Sequence, residues 1–193
     1  MKKTLLIIMF FATIYRVNAQ SKNNSSSDSL PKFYLGVGTG INSYTGLLGL
    51  SGNLRIYDKF FIQAGLGIGS WGTKMSIGLR YDMSYQKGWS YGIGFSSCSG
   101  LKDFKTNLEL QSGVKKDVTM DCLRANTLNL KATHNWKLGK NNTFYLEFGY
   151  AIPLQSSPWR IKDGSIISST SKSVMDMIAP GGLLIGIGFT FGL

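Results

Sequence analysis

This 193-residue chain has few of the residues from which catalytic and metal sites are usually built, with one histidine and two cysteines. Charged residues are also scarce, at 16% of the chain, where ordinary soluble domains have roughly 25%. The 21 Lys and Arg residues do not form blocks with interleaved aromatics, so nucleic acid is not an expected partner. Four prolines beside 24 glycines indicate extended, closely approached backbone rather than disorder.

The N-terminus has the pattern of a secretion signal. Two lysines precede the apolar stretch Leu5–Ala12, and Val17-Asn18-Ala19 follows as a small-residue cleavage site. A membrane anchor would need roughly 20 apolar residues, and Arg16 interrupts the run too early. We therefore predict a signal peptide at residues 1–19, and the Ser/Asn-rich residues 20–31 predict a flexible leader.

Eight later segments alternate large apolar residues with small or polar ones. Only a β-strand has a side-chain period of two, so each segment has one apolar face and one glycine-rich or polar face. Each is close to the roughly 9–11 residues that a tilted strand needs to cross a bilayer. The predicted strands cover residues 33–41, 48–56, 60–69, 74–83, 89–96, 128–137, 144–152 and 183–193.

The predicted connections differ in length between the two ends of these strands. Residues 58–59, 84–88 and 139–142 form short turns at one end, whereas 99–117 and 155–180 form long loops at the other. Bacterial outer-membrane barrels have this organisation. We therefore predict an all-β protein, with an eight-stranded antiparallel up-and-down transmembrane β-barrel at residues 32–193 and both termini in the periplasm.

Aromatic residues are predicted to form a girdle at each end, because their rings favour the headgroup level of a membrane. The girdle at the short-turn end comprises Phe33, Tyr57, Phe60, Tyr81, Trp89, Tyr91, Trp136, Phe144, Phe189 and Phe191. The girdle at the other end comprises Tyr44, Trp71, Phe95, Tyr150 and Trp159. The alternative is a soluble, lipocalin-like barrel with the apolar face turned inward. That barrel would expose a surface made largely of glycine with few charges, so we favour the membrane interpretation.

On this pattern, residues 32–193 resemble the small eight-stranded outer-membrane barrels related to the transmembrane domain of outer membrane protein A. The resemblance rests on strands and turns rather than on a diagnostic motif. It implies a place in the outer membrane of a gram-negative bacterium, with outer-membrane lipid and lipopolysaccharide as neighbours. Members of this family usually end in an aromatic residue, whereas this chain ends in Gly192-Leu193, preceded by Phe189 and Phe191.

No catalytic constellation is found. A lipid A deacylase would need a His and a Ser two residues apart on one face, with an acid to orient the His. The only histidine, His134, is followed two residues later by Trp136 and falls on the lipid-facing side of its strand. The glycines at 36, 38 and 40 alternate within a strand instead of opening a helix, so they do not form a phosphate loop. We predict no catalytic, cofactor-binding or metal-binding residues.

Seven charged residues are predicted to face the lumen of the barrel: Arg55, Lys74, Arg80, Asp82, Lys131, Lys137 and Glu147. They are expected to form ion pairs that fill the interior, although the many inward glycines leave room for a narrow pore. A disulfide between Cys98 and Cys122 stays open, because the two cysteines fall on opposite faces. A hairpin turning at Ser112-Gly113 would place Cys98 opposite Thr127.

The long loops are the expected place of specificity. Residues 99–117 carry Lys102, Lys105, Lys115 and Lys116 beside apolar residues, which suits contact with lipopolysaccharide or an envelope protein. A solvated loop with its own small apolar cluster is the alternative. The expected function is therefore a structural or interaction role without catalysis. A small passive, porin-like pore and a lipid-modifying enzyme are the alternatives, and the sequence does not predict the oligomeric state.

Overall fold

The computed structural model describes residues 31–84 and 87–193, so the predictions for the signal peptide and for residues 20–30 of the leader lie outside the described residues. The described chain forms eleven strands and one helix. In chain order these are β1 (Phe33–Ile41), β2 (Leu48–Tyr57), β3 (Phe60–Gly69), β4 (Gly72–Asp82), β5 (Gly88–Cys98), β6 (Leu101–Glu109), β7 (Lys115–Cys122), β8 (Ala125–Leu138), β9 (Asn142–Pro153), β10 (Trp159–Ile161), α1 (Ser169–Ile178) and β11 (Gly182–Gly192).

Eight of the strands form a closed barrel in the order β1-β2-β3-β4-β5-β8-β9-β11, with β11 returning to β1. Every neighbouring pair is antiparallel. The barrel closes through the pairing of β1 with β11, from Tyr34 opposite Gly192 to Ile41 opposite Ile185. Closure leaves no unpaired strand edge in the barrel. The predicted all-β, eight-stranded antiparallel barrel is confirmed at this level.

The two faces of the barrel are also as predicted. On β4, Met75 and Ile77 are 62% and 59% exposed, whereas Ser76 between them is buried. The same alternation runs around the barrel, with apolar side chains outside and polar side chains inside. The inward apolar face that the lipocalin-like alternative requires is therefore not the arrangement in the described barrel.

The two long loops are more ordered than the sequence analysis predicts. Residues 99–117 contain β6 and the start of β7, and residues 155–180 contain β10 and α1. Strands β10-β7-β6 form a separate antiparallel sheet. The β6–β7 hairpin lies between β5 and β8, and β10 and α1 lie between β9 and β11. All four elements therefore stand at the end of the barrel opposite the short turns. We call the unit formed by β6, β7, β10 and α1 the cap.

The cap has a hydrophobic core of its own, which explains its order. The core consists of Leu108, Val118, Met120, Cys122 and Met175, together with Trp71 from the β3–β4 turn. Because Trp71 is 2% exposed, its indole anchors the cap to the rim of the barrel through apolar burial.

Helix α1 is attached to the cap sheet through its first turn. Ser168 caps the helix, since its side chain accepts a hydrogen bond from the backbone N–H of Ser171. The Ser171 hydroxyl accepts a hydrogen bond from the backbone N–H of Glu109 in β6 and donates one to the Glu109 carbonyl oxygen, each at 3.0 Å. Among the described residues, no helix is both long and apolar enough to cross a membrane.

The cysteines are both buried and both free thiols. Cys98 lies opposite Ala125 rather than Thr127, so the predicted register is wrong by two residues. The hairpin is centred on Ser112, and an irregularity between Leu101 and Phe104 shifts the pairing by one further residue.

Candidate functional site

The β1–β2 connection, residues 42–47, folds into the end of the barrel instead of extending away from it. Asn42 begins the turn with φ 53°, a left-handed conformation that asparagine tolerates better than most residues. Its side-chain amide donates to the backbone oxygens of Gly181 and Leu183, which fastens the turn to the start of β11. Ser43 and Thr45 are consequently buried, at 0% and 1% exposure.

Tyr44, at the tip of this connection, occupies the lumen. Its backbone N–H donates to Glu147 Oε1 at 3.3 Å, and Lys131 Nζ lies 3.7 Å from the centre of its ring. The ring is almost completely buried. The contact between the Lys131 ammonium and the ring is a cation–π interaction, which is stronger where water is excluded.

The inward glycines provide the space for this connection. A Cβ atom on Gly78 or Gly94 would overlap the Tyr44 hydroxyl, and one on Gly65 would overlap the Tyr44 carbonyl. A Cβ on Gly67 would meet the Thr45 carbonyl. The glycines that suggest room for a pore in the sequence therefore surround a segment of the chain.

Two buried ion pairs lie elsewhere in the lumen. Lys131 Nζ lies 2.8 Å from Glu147 Oε2, and Arg80 Nε lies 2.6 Å from Asp82 Oδ1. Both pairs are mostly hidden from solvent. For these four residues the predicted lumenal pairing is confirmed.

The other three charges of that set lie in different surroundings. Lys74 is buried and its ammonium donates to the Asn42 backbone oxygen at 2.9 Å. Arg55 is half-buried, and Lys137 is exposed near the short-turn end of β8. The prediction that Lys137 belongs to a buried lumenal set is wrong, because the end of β8 extends beyond the packed interior.

Little empty space remains between the lumenal side chains. Two cavities of about 10 Å³ each lie there, one beside Tyr44 and Tyr145 and the other beside Phe61 and Asn135. This volume is close to the minimum that holds one water molecule. The packing thus favours a lumen that does not conduct ions over an open pore.

Purified wild-type protein is expected to show no stable ion-conductance steps in planar bilayers, because Tyr44 and the ion pairs fill the lumen. Tyr44→Phe keeps the ring and is expected to be equally silent. Tyr44→Ala removes the ring beside Lys131, so we expect this variant to pass ions. Stable conductance through the wild-type barrel would contradict the closed lumen.

The aromatic girdle at the short-turn end is confirmed as a set of outward rings. Neighbouring rings lie 4.3–5.4 Å apart along the series Trp89, His134, Trp136, Phe144 and Phe189. His134 is thus an aromatic neighbour on the outer face. Among the described residues, no group of three or more His, Cys, Asp or Glu is arranged to hold a metal ion.

The girdle predicted at the other end is largely wrong. Tyr44 lies inside the lumen, Trp71 belongs to the cap core, and Trp159 packs against that core. Phe95 and Tyr150 alone among the five point outward as expected, at 40% and 54% exposure. The prediction fails for Tyr44, Trp71 and Trp159 because they lie outside the barrel strands. The alternation of inward and outward side chains does not extend to such residues.

The cap also carries a polar cluster on its sheet. The backbone N–H of Asp103 donates to Asp121 at 3.0 Å and lowers the pKa of that carboxyl, an effect to which Lys162 and Arg160 add. The Asp103 carboxylate lies 2.6 Å from Lys162 Nζ and raises the pKa of Lys162. The lowered pKa of Asp121 and the raised pKa of Lys162 keep both groups charged around neutral pH, so the cluster stays paired there.

The sequence contains signals for the cap that lie outside the alternating pattern of the barrel strands. Val118, Met120 and Cys122 alternate with charged or polar residues, which predicts a strand with one buried face. Ser168 before α1 and Pro180 after it mark the ends of the helix. No comparable local signal distinguishes Tyr44 from an exposed loop tyrosine.

No protein-family model matches this chain, and no curated protein matches it.

Proposed function

We propose that this protein is an integral outer-membrane β-barrel that holds the cap outside the membrane for a structural or interaction role. The single observation that carries the proposal is the arrangement of polarity. Leu50, Ile77 and Ile93 are about half exposed or more on the outer face, whereas Asn53, Asn129 and Glu147 are buried inside. Hydrocarbon around the barrel would cover the apolar band, as in known transmembrane barrels.

The size of the apolar surface supports this proposal over a soluble barrel. Soluble monomers rarely expose contiguous apolar patches larger than a few hundred Å². Here exposed Leu, Ile, Val and Phe side chains occur on all eight barrel strands. The cap, by contrast, has a hydrophobic core of its own and exposes lysines beside apolar side chains such as Val174 and Met177.

The cap end would face away from the cell, and the short turns and both termini would face the periplasm. The exposed lysines Lys102, Lys105, Lys115 and Lys116 lie on β6 and β7. Their charge suits the phosphate groups of lipopolysaccharide or an acidic surface of an envelope protein. The filled lumen and the absence of a recognisable nucleophile constellation in the sequence favour this non-enzymatic role over a pore or a lipid-modifying enzyme.

The proposal predicts which tryptophans meet lipid chains. In vesicles of brominated lipid, a variant that retains Trp136 as its sole tryptophan is expected to lose much of its fluorescence, since Trp136 is an outward ring, 42% exposed. A matched variant that retains Trp71 is expected to be quenched far less, because Trp71 lies in the cap core. Equal quenching of both, or a protein that stays soluble without any amphiphile, would refute the proposed membrane topology.

A further inference from the structure

A pocket of about 310 Å³ lies at the cap end of the barrel, beneath α1. Its walls are mainly apolar and include Ile41 and Leu47 from the barrel side and Met177 and Ile178 from the helix. Lys74 also lines the pocket and supplies a polar group. Apolar walls with one or two polar groups are typical of sites for small organic ligands.

Lys74 is a buried cation that forms no salt bridge within the described part of the chain, although the Glu147 carboxylate, which pairs with Lys131, is near enough to attract it. It is 3% exposed, and its Nζ donates to the backbone oxygen of Asn42. The ion pairs of the lumen join Arg80 to Asp82 and Lys131 to Glu147, and the salt bridges among the described residues include none at Lys74. A buried charge is costly unless it is paired, so an anion in the pocket would supply what the protein does not.

A groove of about 560 Å³ adjoins this pocket. Ile41, Asn42, Met177 and Ala179 line both spaces, so the two are neighbours along the rim of the barrel. On its far side the groove is lined by Tyr150, Leu183 and Ile185, whose side chains belong to the exposed outer face. An apolar chain could thus lie along the groove while its head group reaches Lys74.

We propose that this pocket binds a single-chain amphiphile with a carboxylate head, a fatty-acid-like monoanion. The carboxylate pairs with Lys74, and the chain packs against Ile41, Leu47 and the exposed end of α1. One ammonium balances one negative charge, so a singly charged carboxylate matches the charge of the pocket better than a doubly charged phosphate head does. This inference goes beyond the proposed function and does not depend on it, because the barrel and the cap form the pocket whatever surrounds the barrel.

Binding of decanoate to the full chain in a non-ionic detergent tests the proposal. Wild-type protein is expected to bind decanoate saturably, and Lys74→Met is expected to raise its Kd by about tenfold or more, the effect of losing a charged hydrogen bond. Decanol, which lacks the charge, is expected to bind both proteins equally. Lys105→Met, at an exposed cap lysine, is the matched control and should leave the Kd of decanoate unchanged.

A second pair of variants keeps the test valid if Lys74→Met does not fold. Met177 is 81% exposed at the mouth of the pocket, so its replacement does not threaten the fold. Met177→Glu is expected to bind decanoate several-fold more weakly than Met177→Gln, because the two differ in charge and not in length. Equal Kd values in either pair, or tighter binding of decyl phosphate than of decanoate by the wild type, would overturn the proposed site.

Discussion

Replacing Ile77 with arginine is expected to lower the free energy of unfolding in lipid vesicles by about 2–4 kcal/mol, the cost of a cation on the lipid face near the bilayer midplane. Ile77 is at the middle of β4, and its side chain is 59% exposed on the outer face. An arginine there would meet hydrocarbon in the proposed environment and water in a soluble one. Urea unfolding of the protein reconstituted in vesicles measures the difference.

Met177→Arg is the matched control for this experiment. Met177 is also apolar and more exposed, at 81%, but it lies on α1 in the cap. A substitution at an exposed position in water usually changes stability by no more than about 0.5 kcal/mol. If Ile77→Arg is as well tolerated as Met177→Arg, hydrocarbon does not surround the barrel.

Lys131→Met is expected to lower the free energy of unfolding by about 3–5 kcal/mol, because it leaves the Glu147 carboxylate buried without its partner. The two groups are 2.8 Å apart, and each side chain is 3% exposed. The substitution also removes the ammonium from the face of the Tyr44 ring. Unfolding in vesicles again supplies the measurement, and Lys131→Met combined with Glu147→Gln should recover part of the loss.

Lys162→Met is the control for Lys131→Met, because it breaks an ion pair that is exposed to water. Lys162 lies 2.6 Å from Asp103 with both side chains substantially exposed, and exposed pairs contribute at most about 1 kcal/mol. A Lys131→Met variant that loses no more stability than Lys162→Met would indicate a hydrated lumen. That outcome would favour the pore over the closed barrel.

The inward connection and the cap are physically linked at the rim. The Asn42 side-chain amide donates to the backbone oxygens of Gly181, in the segment that connects α1 to β11, and of Leu183, near the start of β11. The Gly181 N–H in turn donates to the Asn42 side-chain oxygen at 3.2 Å. Lys74 holds the other side of the same turn through the Asn42 carbonyl. The position of Tyr44 in the lumen therefore depends on contacts made where the cap joins the barrel.

The sequence alone predicts the barrel strands and which side chains of each strand point inward or outward. The period of two is a local property of the extended backbone, and it continues through segments such as Leu183–Leu193 without interruption. Once the parity of each strand is known, the lumenal position of residues such as Lys131 and Glu147 follows. Ion pairing among these charges follows in turn, because a buried charge without a partner is costly, but the strand register decides which residues pair.

Only the tertiary structure decides what occupies the space beside the inward glycines. A glycine in a strand shows that a side chain is missing, but either water or another part of the chain can fill the gap. Here Tyr44 and its neighbours fill it, because Asn42 turns the connection inward and long-range bonds to Gly181 and Leu183 hold it there. The cap likewise depends on Trp71, Val118 and Met175 meeting in one core from distant parts of the chain, and no local periodicity encodes such a meeting.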